Sequence, residues 1–177
     1  MRKLIESTLV SLDGVIEAPD RWAPFDDEST ALAMDQLDDC DSFVIGRVTY
    51  ESLFARWTQN GGDPYTDRIN AMPKYVASRS LTETAPNVTL LGPDAAGAIA
   101  ALKEQPGKDL IKYGTSRLDD LLLRHHLLDE LHLWYMPVVV GSGRRLFEDV
   151  DTSSLALRLT DERRLGNGSV ILSYAVG

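Results

Sequence analysis

Four short stretches bring together residue types that hold phosphate: Gly46-Arg47-Val48-Thr49, Ser78-Arg79-Ser80, Gly92, and Gly114-Thr115-Ser116. The first follows the apolar run Phe43-Val44-Ile45, whose length and density suit a strand buried on both faces. Gly46 lets the backbone turn without a Cβ clash, and the residues after it read as the first turn of a helix. A helix start offers unpaired N–H groups and the positive end of a dipole, where a phosphate can sit. Arg47 adds a planar, permanently charged fork, and Thr49 adds a hydroxyl. The competing reading is an ordinary strand-to-helix turn beside a solvated arginine. Each stretch taken singly is also consistent with simple helix capping. Their conjunction, two helix starts plus the arginines Arg47 and Arg79, suits a pyrophosphate and an additional phosphate. The chain has no Gly-x-Gly-x-x-Gly and no glycine-lysine phosphate loop, which disfavours the usual Rossmann and P-loop arrangements.

Alternating elements would position these groups. Residues 2–10 read as a strand ended by the turn pair Asp13-Gly14, and Pro19 to Pro24 read as a loop carrying Trp22. Ala31, Met34 and Leu37 recur at helical spacing over 26–38, with acids in the first turn. A strand at 42–45, a helix from Arg47 and a surface loop over 58–67 follow. Further strands are expected at 75–77, 88–91 and 110–113, with helices at 94–104 and 116–126. A long strand at 131–140 has Pro137 marking a bulge or an edge. Strands at 155–161 and 169–176 then flank Gly166-Asn167-Gly168, a hairpin-turn sequence. Strand and helix alternate until the strand-only tail. That order predicts an α/β fold in three layers, α/β/α, with a mostly parallel central sheet and antiparallel C-terminal strands. No linker or repeat interrupts it, so residues 1–177 are expected to form a single domain. In such open sheets, ligands bind beyond the carboxyl ends of the strands.

Composition narrows the partners. The 177 residues carry a formal charge of −9, which argues against nonspecific nucleic-acid binding and repels anionic small molecules at long range. An anionic ligand therefore needs locally clustered arginines, and Arg47, Arg79, Arg144 and Arg145 are the candidates. No apolar run reaches the ~18 residues of a membrane span, and the N-terminus lacks the features of a signal peptide. A cytoplasmic protein with no membrane partner is the expectation. Cys40, the one cysteine, reads as a reduced structural thiol. His125, His126 and His132 lack metal-ligand spacing on one helical face, so no metal is expected.

The order of these stretches resembles the dihydrofolate reductase-like superfamily over essentially the whole chain. Gly46-Arg47-Val48-Thr49-Tyr50-Glu51-Ser52 is similar to the phosphate-binding helix start of those reductases. Ser11-Leu12-Asp13-Gly14-Val15-Ile16 resembles their mobile loop after the first strand. Lys74-Tyr75-Val76-Ala77-Ser78-Arg79 resembles the strand ending at the adenosine end of the cofactor, and Lys112-Tyr113-Gly114-Thr115-Ser116 the glycine turn beneath the pyrophosphate. Leu127-Leu128-Asp129-Glu130-Leu131 and Pro137-Val138-Val139-Val140-Gly141-Ser142-Gly143-Arg144-Arg145-Leu146-Phe147 resemble more particularly the C-terminal reductase domain of the riboflavin-pathway deaminase–reductase and its stand-alone relatives.

The resemblance implies an NADPH-dependent reductase acting on C=N or C=O of a small heteroaromatic or ribosylamino-pyrimidine-like substrate. Arg47, Ser78, Arg79 and Ser80 would face the 2′-phosphate and ribose. Gly46, Val48, Thr49, Gly92 and Gly114-Thr115-Ser116 would surround the phosphates, and backbone from Val10 to Gly14 would lie against the nicotinamide. No acidic residue directly follows Ser78-Arg79, in keeping with NADPH over NADH. Two departures stand out: the helix carboxylate of dihydrofolate reductases falls on Thr30 by spacing, and Gly114-Thr115 replaces a glycine pair. No His-x-Glu or Cys-x-x-Cys deaminase signature is present.

Hydride transfer leaves a heteroatom that needs a proton. Asp13, near the expected nicotinamide, and Asp27 are the candidate acids; the alternatives are a turn former before Gly14 and a first-turn helix acid. Trp22 could cover a heteroaromatic ring or pack its loop onto the core. Glu130 could reach a ligand or lie on the surface, and Arg144 could bind a substrate phosphate or be solvated. The apolar bulk of Trp134, Tyr135 and Met136 suggests a homodimer contact, with coverage by the terminal hairpin as the alternative. A non-catalytic dinucleotide-binding and dimerisation module of the same fold is the competing function.

Overall fold

Among the described residues, eight strands form one sheet, most of them short apolar runs. The computed structural model describes residues 1–57, 61–82 and 84–177. The elements run β1 (Leu4–Ser11), α1 (Asp27–Asp38), β2 (Cys40–Gly46), α2 (Arg47–Trp57), α3 (Pro64–Ala71), β3 (Lys74–Ala77) and β4 (Val88–Leu90). They continue with α4 (Ala95–Glu104), β5 (Asp109–Tyr113), α5 (Leu118–Arg124), β6 (Glu130–Met136), β7 (Leu157–Arg164) and β8 (Val170–Val176). The sheet order is β4-β3-β2-β5-β1-β6-β8-β7. β1 to β6 are mutually parallel, while β8 pairs antiparallel with both β6 and β7. The α/β fold with its antiparallel C-terminal edge is therefore as the sequence order predicts.

Period-two alternation splits the core between the sheet's two faces. Ile5, Phe43, Ile45 and Ile111 pack with Leu37, Ile69 and Met72 on one side. Leu4, Val44 and Leu110 pack with Ile99, Leu118 and Leu122 on the other. The helices start where their caps allow: Asp26 accepts from Ser29 N at 2.9 Å and Asp94 from Gly97 N at 3.0 Å.

Three expectations need correction. The stretch 58–67 does not end as a loop: Asp63 caps α3 by accepting from Thr66 N at 2.9 Å, and Pro64 occupies its first turn. Residues 58–60 lie outside the described residues. The strand expected over 131–140 stops at Met136, because Pro137 cannot donate to a ladder. β6 is also interior, flanked by β1 and β8, so Trp134 and Met136 are buried within this chain and need no partner to cover them. The edge on this side of the sheet is β7, whose eight residues are all exposed. Cys40 is buried, and burial pushes its thiol up to about 12. Among the described residues no helix is long and apolar enough to cross a membrane, and no cluster of His, Cys, Asp or Glu is placed to hold a metal.

Candidate functional site

Six parallel strands share a direction, so their carboxyl ends form one edge, and four of the sequence stretches meet there. Gly46 pairs with Ala77 at the ends of β2 and β3, so Arg47 and Arg79, both exposed, follow the ends of two adjacent strands on that edge. The Cβ position at Gly46 is 4.0 Å from Ser116 Oγ, so the start of α2 abuts the turn after β5. Gly92 and Gly114 have φ of 69° and 71°, and a Cβ at either would meet no atom within 4 Å. Glycine here keeps open a space that any side chain would enter from a strained backbone.

β1 outruns its neighbour at this edge. It pairs with β5 as far as Ser7↔Tyr113, and with β6 as far as Ser11↔Met136. Ser7 O receives the last β5-side bond, from Gly114 N at 3.1 Å. Leu4 and Leu12 bond toward β6 and Ser7 toward β5, so alternation turns the N–H and C=O of Leu9 toward the gap left where β5 ends. No described residue bonds them. Val10, expected to present its backbone to a ring, instead directs it toward Tyr135 on β6. Leu9 is the residue that sequence reasoning missed, and only the unequal strand lengths identify it.

Apolar and phenolic groups line the same gap. Leu9, Trp22, Leu32 and Tyr65 each pack against a buried cluster that contains Ala33 and Trp134. Trp22 also donates Nε1–H to Glu17 O at 2.8 Å, so it fastens its loop as well as lining the cluster. The phenols of Tyr65 and Tyr113 are 3.0 Å apart. Burial pushes Tyr65 up to about 12 and raises Tyr113 as well, so both remain protonated. Trp134 Nε1–H is buried without an acceptor.

The structure gives other sequence candidates different work. Asp13 accepts from Ser11 Oγ at 2.7 Å, Val140 N at 3.0 Å and Gly141 N at 2.8 Å. Those bonds, led by the Ser11 hydroxyl, hold its carboxyl down at about 2, so it latches two loops together as a carboxylate. Asp27 is an exposed residue in the first turn of α1, one position after the Asp26 cap. Glu130 is at the amino end of β6, where it accepts from Lys3 Nζ at 2.6 Å and bonds His132 at 3.1 Å. It lines a separate cavity of about 590 Å³ with Lys3, Asp109, Asp161 and Arg163, at the opposite edge from Gly46 and Gly114. Glu130 thus lies at the amino edge and not beside the Leu9 gap.

Arg144 donates Nη1–H to Thr115 O at 2.6 Å, so it belongs to the Gly114 turn and not to a separate substrate subsite. Thr115 itself is buried, its hydroxyl donating to Glu6 Oε1 at 3.1 Å; it faces away from the open side. Ser116 N–H is taken by Asp119 Oδ2 at 2.5 Å. Ser78 Oγ accepts from the amides of Ser80 and Leu81 at 3.2 and 3.0 Å, which leaves its own O–H to donate. Arg47 is 3.1 Å from Glu51 in an exposed pair that exchanges readily with solvent. Val48 is 70% exposed and Thr49 half-buried at the start of α2.

The sequence model of one family, described as the RibD C-terminal domain, matches residues 2–171. The chain belongs to that family. It is 29% identical to the uncharacterized protein YyaP of Bacillus subtilis (strain 168), covering 98% of this chain and 94% of YyaP. Among solved structures, a Shewanella sp. PV-4 protein provisionally named for riboflavin biosynthesis superposes with a TM-score of 0.76 at 21% identity, covering 99% of both chains. Dihydrofolate reductase from Enterococcus faecalis, solved with NADP(H), gives 0.63 at 15% identity over 99% of this chain and 96% of that one. These likenesses establish a reductase-type α/β fold shared by RibD C-terminal domains and dihydrofolate reductases.

Proposed function

We propose that this RibD C-terminal-type domain is an NADPH-dependent reductase of a small heteroaromatic or ribosylamino-pyrimidine-like substrate, acting on a C=N or C=O bond. The observation that carries the reading is the gap beside Leu9, where a bare backbone N–H and C=O face the open glycine edge. A primary carboxamide needs one donor and one acceptor in that relation. The residues fit the cofactor: Gly46, Gly92 and Gly114 leave the space that a pyrophosphate backbone requires. The start of α2 and Arg144 would hold the phosphates, and Arg47 with Arg79 would take the 2′-phosphate of the adenosine end. When bound, NADPH supplies the hydride.

On the chain's side, Leu9 orients the ring and Trp22 with Trp134 excludes water from one face. The Tyr113–Tyr65 phenol pair holds a proton at the mouth of the gap, positioned to donate a hydrogen bond to the reduced heteroatom or to a water beside it. With Asp13 locked as a carboxylate, that pair replaces the acids expected from sequence.

The second reading, a non-catalytic dinucleotide-binding module, is favoured by one observation: Thr30 stands where spacing calls for a carboxylate, and its hydroxyl is spent on Asp26 O at 2.8 Å. A homodimer would use β7, an exposed edge strand with an unpaired backbone side.

Titration of tryptophan fluorescence with NADPH and NADH tests the cofactor. Arg47→Ala with Arg79→Ala is expected to weaken NADPH binding by about a hundredfold or more while changing NADH binding little, each charged phosphate contact contributing roughly 1.5–3 kcal/mol. Equal NADPH and NADH affinities in the parent protein refute the 2′-phosphate assignment. NADPH oxidation should then be screened against dihydrofolate, ribosylamino-pyrimidines, pterins and quinones. Tight binding with no oxidation of any of them selects the module.

A further inference from the structure

Beneath the Gly114 turn lies a cluster of charges that the reaction as proposed does not use. Glu6 on β1, Lys112 on β5 and Asp119 on α5 are each about 1% exposed. Glu6 and Lys112 are direct cross-strand partners in the β1–β5 register. Lys112 Nζ donates to Glu6 Oε2 at 3.0 Å, to Asp119 Oδ2 at 3.1 Å and to the carbonyl of Gly114. Those bonds use all three ammonium protons. Asp119 Oδ2 also receives Ser116 N–H, and Glu6 Oε1 receives the hydroxyls of Thr115 and Thr8. The turn is thus gripped at three successive residues by one buried cluster: Gly114 by its carbonyl, Thr115 by its hydroxyl, Ser116 by its amide.

The proton count does not close if both carboxyls are ionised. Asp119 Oδ1 is buried and receives no hydrogen bond, although it lies 2.9 Å from Lys112 Nζ. No ammonium proton remains for it. An unsatisfied buried carboxylate oxygen is costly, and the cluster would carry a net charge of −1 in the core. A proton on Asp119 removes both problems, because the cluster becomes neutral and the carboxyl gains an O–H that an ionised Glu6 can accept. Burial, the largest cause, pushes Asp119 up to about 8, while the Lys112 ammonium keeps Glu6 ionised.

We propose that Glu6, Lys112 and Asp119 are positioning residues whose single shared proton keeps the core beneath the Gly114–Ser116 turn neutral, so that an anionic pyrophosphate can bind above it. This inference rests on the dinucleotide reading. Losing the proton puts a negative charge under the phosphates while Ser116 N–H keeps its acceptor, so dinucleotide affinity is coupled to protonation of Asp119 through charge. Other charges facing the turn are Arg144, from the loop after β6, and the exposed Arg117. The rest of the surroundings is apolar: Val44 from β2, Leu131 and Leu133 from β6, Ile99 from α4. Lys74, at the amino end of β3, is the other group held near 8, and it is unchanged in the variants below.

The test is NADPH titration by calorimetry between pH 6.5 and 9, in buffers of differing ionisation enthalpy, on the parent chain, Asp119→Asn and Glu6→Gln. Asp119→Asn keeps the acceptor at Oδ2 and puts a permanent donor at the Oδ1 position, while Glu6→Gln removes the other carboxylate charge and gives up one of two accepting oxygens. The parent is expected to take up a proton on binding above pH 8 and to bind about five- to tenfold more weakly at pH 9 than at pH 7, since one linked proton permits at most tenfold per pH unit. Both variants are expected to show under twofold change and no uptake. A readout without cofactor accompanies it. A carboxyl whose folded value, about 8, exceeds its unfolded 3.8 stabilises fully only in acid and loses that contribution as pH rises through 8. The thermal midpoint of the parent should therefore fall more steeply from pH 6.5 to 9 than that of either variant. Binding with the same pH slope in parent and variants overturns this inference alone. No NADPH binding at any pH overturns the dinucleotide reading, and the coupling with it.

Discussion

The two ends of the parallel strands are built to opposite rules. At the amino edge the polar groups are consumed: Arg2 bonds Asp41, Lys3 bonds Glu130 at 2.6 Å, and Lys103 bonds Asp129 at 2.5 Å and Leu127 O at 2.9 Å. Even the backbone there is covered, with Lys3 N donating to Asp109 Oδ1 and Leu4 N to Asp129 Oδ2, both at 2.7 Å. At the carboxyl edge no described residue bonds the N–H and C=O of Leu9, glycines hold space open, and Arg47 and Arg79 are exposed. A fold this size has enough saturated structure at one end to leave the other unsatisfied, and unsatisfied groups are what a ligand can bind. A cavity of about 590 Å³ sits at the saturated end, so open volume by itself does not mark the edge that chemistry favours.

The contrast can be broken first through its lysines. Lys112→Met should destabilise the protein by about 3–5 kcal/mol in urea unfolding at pH 7, because it strands two buried carboxyls. Lys3→Met at the amino edge removes a pair whose lysine is 56% exposed, and should cost under about 1 kcal/mol. Similar losses for the two would show that the buried cluster is not the keystone of its edge.

Two glycines of positive φ sharpen it next. Gly114→Ala and Gly168→Ala, at φ 71° and 88°, should each lose about 1–2 kcal/mol of stability from backbone strain. Only Gly114→Ala should also weaken NADPH binding, by about tenfold, since its methyl enters the open side of the turn whereas Gly168 turns a remote hairpin. The smallest effect belongs to Glu130→Gln, expected to change NADPH affinity by less than about twofold and stability by less than about 1 kcal/mol. A larger effect on binding would return Glu130 to the ligand site.

How much was legible follows from how local each signal is. The strand-to-helix junction at Gly46, the Asp26 cap and the 166–168 turn are written in neighbouring residues, and the structure has all of them. α3 was missed although Asp63-Pro64 is a cap followed by a first-turn proline, because glycines and asparagine upstream gave the stretch a loop composition. β7 was misplaced by a few residues since an edge strand exposed on both faces has no apolar alternation to mark it. Arg144 and Glu130 exchanged significance for a topological reason: one follows β6 and the other begins it, so they lie at opposite edges.

The sequence by itself determined the order and type of the elements, the clustering of glycine and arginine after strands, and the family, because periodicity and short motifs need only near neighbours. Tertiary structure alone decided which backbone is bare and which charges meet. Leu9 is exposed to a ligand only because β5 ends before β1 does. Glu6 finds Lys112 across a sheet order that places residues 106 apart in sequence side by side, and burial away from water then makes their shared proton matter.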